Sequence, residues 1–145
     1  MFAKTLALSL LTVPLFASCM VDNEGLKDNF NTSSNEPIAN YQVFGKVSDV
    51  EGNPITGIRV IANYSTDVIY RADTLYTNKE GEYSKFLTTP RVGSFYLSFT
   101  DIDGQANGGA FESRSERVTP VRTEISSGYF GGSYIVSLDA VLKKR

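Results

Sequence analysis

The stretch "YQVFGKVSDVEGNPITGIRVIANY", residues 41 to 64, contains two runs of alternating side chains on either side of a turn. In the first run Tyr41, Val43 and Val47 share one face, and in the second run the shared face comprises Ile58, Val60, Ala62 and Tyr64. A period of two residues is typical of a strand with one buried face. The connecting "DVEGNPITG" is rich in Asp, Gly, Asn and Pro, which favour turn dihedral angles. The sequence therefore predicts two strands joined by a turn.

The same pattern of short alternating runs separated by turn residues continues to the carboxyl terminus. Further strands are predicted at residues 68–77, 83–88, 93–101, 117–125 and 133–144, with "NKEGEY" as a tight hairpin between the first two of them. Phe95, Leu97 and Phe99 share one face of their strand, whereas Pro120 removes a hydrogen-bond donor and suits only an edge or a strand end. About seven short strands, with no helical period after residue 18, predict an all-β sandwich.

The turn motifs resemble those of the carboxypeptidase regulatory-like domain. The residues that match its pattern, in order, are Gly45, Val47, Asp49, Gly52, Pro54, Gly57, Val60, Thr77, Asn78, Gly81 and Tyr83. The match covers roughly Tyr41 to Thr100, and it implies a transthyretin-like sandwich of the immunoglobulin-like class. Within the pattern, Gly57 and Gly81 are predicted to adopt conformations that a Cβ atom would strain.

The amino-terminal residues have the pattern of a secretion signal. Lys4 precedes the apolar run "TLALSLLTVPLF" (5–16), and the small residues Ala17 and Ser18 follow it. A membrane-spanning helix needs about 20 mostly apolar residues, and this run is shorter and contains Pro14. We therefore interpret residues 1–18 as a signal peptide.

"FASC" (16–19) resembles the lipobox of bacterial lipoproteins, although Phe16 stands where an aliphatic residue is more usual. The resemblance implies that the chain is cut before Cys19, that the Cys19 sulfur carries a diacylglyceryl group, and that the new amino terminus is acylated, commonly by palmitate. Two or more chains anchor a protein stably, whereas one binds reversibly. An ordinary signal peptide with a chance cysteine near its end is the alternative interpretation.

Residues 19–40 are predicted to be a lipidated flexible tether, because "MVDNEGLKDNFNTSSNEPIAN" (20–40) has few core-forming side chains. The sandwich is predicted to occupy residues 41–145. Asp22 and Glu24 loosely resemble an export signal of surface lipoproteins. The expected location is the bacterial outer membrane, on the cell surface or on the periplasmic face.

Composition restricts the chemistry that the protein can perform. Removal of 18 residues from 145 leaves 145 − 18 = 127, enough for one domain and a tether. The chain has no His, one Cys and no Trp, which excludes Ser-His, Cys-His and His-metal sites and also disulfides once Cys19 is lipidated. No basic stripe suggests nucleic-acid binding. No spacing selects a catalytic carboxylate pair, and Glu80 and Glu82 fit solvated turn positions. We expect a protein that is not an enzyme and that needs no cofactor.

The segment "DIDGQANGGAFE" (101–112) is a weak candidate for a calcium loop. Oxygen ligands stand at positions one, three, five, seven and twelve of the segment: Asp101, Asp103, Gln105, Asn107 and Glu112. Ala106, however, occupies the position where such a loop requires Gly, and strands rather than helices are predicted on either side. A polar strand connection with solvated acids is the favoured interpretation, so no metal site is predicted.

The segment "SSGYFGGSY" (126–134) is a candidate contact loop. It places Tyr129, Phe130 and Tyr134 on a Gly-rich backbone, and aromatic side chains on adaptable loops are typical of binding surfaces. Packing of Phe130 against the sandwich edge is the simpler alternative.

Taken whole, the chain resembles the lipoproteins encoded beside radical SAM enzymes in Gram-negative gut bacteria. The resemblance rests on the "ASC" anchor, "FTDIDGQANGGAFES" and the closing "SLDAVLKK". It implies an association with a radical SAM system but no particular chemistry. Three hypotheses follow: a module that binds a protein, peptide or glycan at the envelope, a substrate or cargo of the radical SAM enzyme, and a structural envelope component.

Overall fold

Two β-sheets make up the part of the chain that the structure, a computed structural model, describes, namely residues 36–66 and 70–145. The strands in these ranges are β1 (Ile38–Asp49), β2 (Arg59–Ser65), β3 (Tyr70–Tyr76), β4 (Glu82–Pro90), β5 (Phe95–Thr100), β6 (Arg114–Val118), β7 (Val121–Glu124), β8 (Phe130–Ser137) and β9 (Ala140–Leu142). Over the same ranges no helix has the length and apolar character needed to cross a membrane. The predicted all-β sandwich is confirmed, with nine described strands against the predicted seven or so.

The long strand β1 organises the first sheet. This five-stranded sheet has the order β4-β1-β8-β7, and β9 also pairs with β1. β1 pairs antiparallel with β4 and parallel with β8 and β9. The second sheet is four-stranded, with the antiparallel order β3-β2-β5-β6.

The inner faces of the two sheets form the core, and the faces predicted from alternation are confirmed. Fully buried side chains from both sheets include Tyr41, Val43, Val60, Leu97 and Phe99. Tyr41 makes the central aromatic contact: its ring centroid lies 5.3 Å from that of Phe95. The Tyr41 hydroxyl accepts a 2.7 Å hydrogen bond from the backbone N–H of Val92, so its polar atom is satisfied inside the core.

The predicted turn after β1 is held by its own side chains. The Asp49 carboxylate accepts hydrogen bonds from the backbone N–H groups of Glu51 and Asn53, each 2.9 Å long, and from the Asn53 side-chain amide. The pKa of Asp49 lies below its usual value, chiefly because of the Asn53 side-chain hydrogen bond. Gly57 and Gly81 have φ angles of 79° and 74°, as their left-handed positions predicted.

Three predicted elements differ from the structure because distant pairing overrides the local pattern. The "NKEG" turn (78–81) is present, but the strands beside it belong to different sheets and do not form a hairpin: β3 pairs with β2, and β4 with β1. The predicted strand 117–125 is divided at Thr119 and Pro120 into β6 and β7, again in different sheets. Proline cannot donate to a ladder, so it suits the crossing point.

The predicted strand 133–144 is likewise divided, at Leu138 and Asp139, into β8 and β9. The Leu138 carbonyl leaves the ladder and accepts a 2.7 Å hydrogen bond from the Tyr83 hydroxyl. At the other end of the domain, β1 begins at Ile38, three residues before the predicted boundary at Tyr41. Pairing of Ile38 with Pro90 of β4 extends the strand into the segment predicted to be tether.

Candidate functional site

The lipidation site predicted from the lipobox, Cys19, lies outside the described residues. The predicted signal peptide and residues 19–35 of the predicted tether lie outside them too.

The three aromatic residues of the predicted contact loop have different environments. Residues 127–130 form a tight turn, closed by reciprocal 2.9 Å backbone hydrogen bonds between Ser127 and Phe130. Tyr129 at its tip is 85% exposed, whereas Phe130 begins β8 and is half-buried. Tyr134 is buried and stacks on Tyr41, with ring centroids 5.1 Å apart. Tyr134 thus belongs to the core, because parallel pairing of β8 with β1 turns its side chain inward. Of these three aromatic residues, only Tyr129 is highly exposed to solvent.

The acidic loop at residues 101–112 uses its first carboxylate to shape its own backbone. One Asp101 oxygen accepts hydrogen bonds from the N–H groups of Asp103 and Gly104, at 3.1 and 3.2 Å, and the other accepts a 2.8 Å bond from that of Phe111. Burial alone raises the pKa of Asp101, but these N–H donors outweigh it, so the pKa lies below its usual value.

The Asp103 carboxylate lies near that of Asp101, but the predicted ligands also make other contacts. The Asp103 carboxylate accepts a hydrogen bond from the side-chain amide of Asn107, and the Glu112 backbone pairs with Lys143. Gln105, like Asn107, lies on the exposed surface of the loop. Within residues 36–66 and 70–145, no group of three or more His, Cys, Asp or Glu side chains is placed to hold a metal ion.

A different surface collects large side chains that face solvent: the outer face of the four-stranded sheet. Register places side chains in rows across it, and one row runs from Arg117 through Tyr96 and Asn63 to Ala72. The next rows contain Ser115, Ser98, Ile61 and Thr74, and then Thr100, Arg59 and Tyr76. We call this surface the tyrosine face and define it by Tyr70, Tyr76, Tyr96, Arg59, Arg117 and Asn63.

The three tyrosines of this face have at least half of their surface exposed to solvent. Tyr70, Tyr76 and Tyr96 are 71%, 57% and 50% exposed. The Tyr70 hydroxyl donates a 2.9 Å hydrogen bond to the side-chain oxygen of Asn63, and the Arg117 guanidinium lies 5.9 Å from the Tyr96 ring centroid. Each of these two rings therefore has one polar or cationic neighbour on the same face.

The charge on the tyrosine face is positive. Arg59 and Arg117 supply it, and none of the outward-facing residues in these rows is an aspartate or glutamate. The Arg59 Nε atom is buried and has no hydrogen-bond partner among the described residues. Neither arginine belongs to an ion pair there. The face therefore combines two arginines that form no ion pair among the described residues with aromatic surface, although the whole chain has a net charge of −2.

At the edge of the sandwich, by contrast, an aspartate and a lysine from different sheets form an ion pair. Asp73 of β3 forms a 2.5 Å ion pair with Lys85 of β4 and accepts a 2.9 Å hydrogen bond from the Tyr64 hydroxyl. Burial first, and then the hydrogen bond to Asp73, raise the pKa of Tyr64 to about 12. Burial opposes ionisation of Asp73, but its hydrogen bonds with Lys85 and Tyr64 prevail and lower its pKa. This cluster links the two sheets, and Arg71 adds a further positive charge near Asp73.

The outer face of the five-stranded sheet has a different chemical character. It exposes Phe86, but its charges have mixed signs, with Lys46 opposite Glu82 in the β1–β4 register. Sequence reasoning did not identify the tyrosine face as a site. A signal was present, since the inward alternation of Phe95, Leu97 and Phe99 requires Tyr96 to point outward. The grouping of Tyr96 with side chains of three other strands was not visible in the sequence.

These features define a two-sheet β-sandwich with one aromatic, cationic outer face. No protein-family model and no curated protein matches the sequence. Among solved structures, the chain is similar to a catechol 1,2-dioxygenase from Acinetobacter radioresistens, with a TM-score of 0.55 at 13% identity over 81% of this chain and 55% of that one. It is also similar to a chlorocatechol 1,2-dioxygenase from Pseudomonas putida, with a TM-score of 0.53 at 16% identity over 74% and 61% of the two chains.

A third similar structure is the dioxygenase domain of a dioxygenase–carbohydrate-binding protein fusion from Streptomyces sp. SirexAA-E. Its TM-score is 0.50 at 15% identity, over 79% of this chain and 85% of that one. The present chain covers only 55% and 61% of the lengths of the two dioxygenases named first. At such identities the similarity shows the fold alone.

Proposed function

We propose that this protein is a non-catalytic binding module, anchored by lipid on Cys19 to the bacterial outer membrane, and that it contacts its ligand through the tyrosine face. The observation that carries the proposal is the grouping of three exposed tyrosines with two unpaired arginines on one open sheet. Aromatic residues and arginine are enriched at protein interfaces relative to the rest of the surface.

The chemistry of the face supports binding rather than catalysis. Tyrosine offers large, rigid contact area at low entropic cost, and arginine is enriched with it where proteins recognise partners. The chain has no His and its one Cys lies at the lipobox, so common nucleophile–base pairs are absent from the sequence. The lipobox resemblance supports the location at the envelope.

A binding panel tests the use of the tyrosine face. The full chain, purified in mild detergent, would be applied to immobilised glycans, peptides and envelope fractions. A variant that combines Tyr76→Ser with Tyr96→Ser removes two exposed rings, and Phe86→Ser is a matched control because Phe86 is 72% exposed on the other sheet. We expect the double variant to lose at least about tenfold in affinity, equal to 1.4 kcal/mol, and the control to retain binding. Equal binding by all three proteins, or by none, contradicts the proposal.

Cys19→Ser tests the anchor. Wild-type protein should partition with the outer membrane and carry the mass of attached acyl chains, and the variant should do neither. Globomycin, which blocks lipoprotein processing, should likewise leave the precursor uncut. A wild-type protein with the same processed mass as the variant argues against lipidation.

The exposure of Tyr129 favours a second candidate function, that of a substrate for a radical SAM enzyme. Tyr129 is 85% exposed at the tip of a Gly-rich turn, where an enzyme could reach it. Intact mass separates the two functions. A mass accounted for by lipid alone argues against modification, whereas an additional shift that disappears on deletion of the neighbouring radical SAM gene supports it.

A further inference from the structure

We propose that the ligand of the tyrosine face is an acidic glycan, a saccharide chain that carries carboxylate groups. This inference rests on the proposed function, because it names the ligand class of the same surface. It follows from the charge, the polar groups and the shape of that surface.

The positive charge of the tyrosine face favours an anionic ligand. Arg59 and Arg117 have no ion-pair partner within the described residues, and no outward carboxylate lies between them in the rows of the sheet. A guanidinium group matches the geometry of a carboxylate and can bind it through two parallel hydrogen bonds.

The polar groups of the face suit a polyhydroxylated ligand. The centre of the sheet presents short hydroxyl and amide side chains, supplied by Asn63, Thr74, Ser98, Thr100 and Ser115. Ser115 donates a 2.9 Å hydrogen bond to Ser98, which orients these two hydroxyls. Hydroxyls both donate and accept hydrogen bonds, as sugar hydroxyls require.

The shape of the face suits an extended chain. Arg59 and Asn63 lie four residues apart on β2, which corresponds to about 13 Å along the strand. Tyr76 lies beside Arg59 at one end of this span, and Tyr96 lies beside Asn63 at the other. An aromatic ring and an arginine therefore stand at each end, since Arg117 neighbours Tyr96. A short oligosaccharide could pack on both rings and place a carboxylate at each arginine.

Calorimetry on the full chain in mild detergent tests this proposal. The acidic probes are oligosaccharides of polygalacturonate and of alginate, a neutral galactan oligosaccharide of equal length controls for hydroxyl contacts, and polyglutamate controls for charge alone. We expect an acidic oligosaccharide to bind at least about tenfold more tightly than either control. Its affinity should fall as salt is raised, because exposed charges are screened.

Two arginines on β6 provide a matched pair of variants. Arg117→Gln removes a cation from the tyrosine face, whereas Arg114→Gln removes one that is paired with Glu116 and lies on the other side of the strand. We expect Arg117→Gln to weaken acidic-glycan binding about tenfold and Arg114→Gln to leave it nearly unchanged. Arg59→Lys keeps the charge but removes the planar donor group, so it should also weaken binding. Thermal melting is used to check that each variant is folded.

The outcomes separate this inference from the proposed function. Equal binding of neutral galactan, or of polyglutamate, overturns the acidic-glycan assignment. An equal effect of Arg114→Gln and Arg117→Gln does so too, because net charge would then explain the result. If neither acidic probe binds while another panel ligand is lost in the Tyr76→Ser and Tyr96→Ser variant, the ligand class is wrong and the binding module stands. If the panel yields no ligand for the face, both proposals fail.

Discussion

Removal of the Thr77 hydroxyl should destabilise the sandwich more than removal of its methyl group. Thr77 is 4% exposed, and its Oγ1 atom joins the two turn motifs. It donates a 2.7 Å hydrogen bond to the Ile55 carbonyl and accepts a 2.9 Å bond from the Ile58 backbone N–H. Thr77→Val keeps the shape of the side chain but leaves both backbone groups without this partner.

The magnitude follows from those two bonds. A buried polar group left unsatisfied costs about 1 to 3 kcal/mol, so the loss of both partners should lower the free energy of unfolding by about 2 to 6 kcal/mol. A small domain has about 5 to 15 kcal/mol in total. Thr77→Ser keeps the hydroxyl and loses one methyl group, which should cost about 1 kcal/mol.

Urea denaturation of the full chain, followed by tyrosine fluorescence, measures the difference. Wild type, Thr77→Val and Thr77→Ser should have similar m-values, so that midpoints report stability. The expected order of stability is wild type, then Thr77→Ser, then Thr77→Val. If Thr77→Val is as stable as Thr77→Ser, the hydroxyl does not hold the turns together and the reasoning is refuted.

Two further predictions concern a close contact and a titrating group. Gly45→Ala should destabilise the fold by about 3 kcal/mol or more, since its Cβ would lie 1.9 Å from the Leu138 carbonyl oxygen, whereas Gly93→Ala, in open space, should be neutral or slightly stabilising in the same urea assay. Asp101 has a lowered pKa, so its contribution to stability is present above the ordinary Asp value of about 3.9 and is lost as pH falls through the folded pKa. Asp101→Asn should therefore melt at a lower temperature than wild type at pH 7 and approach it below about pH 4, and parallel melting curves at both pH values would contradict this assignment.

Alternation and turn chemistry were enough to predict most of the strands. The inward residues Val43, Val60 and Leu97 were identifiable because a strand with one buried face repeats every two residues. Gly57 and Gly81 were identifiable because a left-handed turn position excludes a Cβ atom at low cost. These signals depend only on residues that are close together in the chain, so a single sequence is enough to recognise them.

The predictions that the structure contradicts depend on pairing between strands that are far apart in the sequence. The "NKEG" turn reads as a hairpin, yet it passes the chain from one sheet to the other, because β3 and β4 find better partners in β2 and β1. The contact-loop hypothesis displays Tyr134, whereas the predicted strand 133–144 also includes it, and the parallel register of β8 on β1 stacks it on Tyr41 in the core. The acidic loop reads as a partial cation site, yet backbone N–H groups occupy the oxygens of Asp101.

The sequence by itself determined the all-β class, the turn positions and the lipobox pattern at Cys19, because each depends on residues close together in the chain. Only the tertiary structure decided which outward side chains meet. Tyr70, Arg59, Tyr96 and Arg117 come from four different strands, and they share one face because the order β3-β2-β5-β6 aligns them in register. Such pairing depends on how the inner faces pack against each other, which is a property of the whole core and not of any one segment.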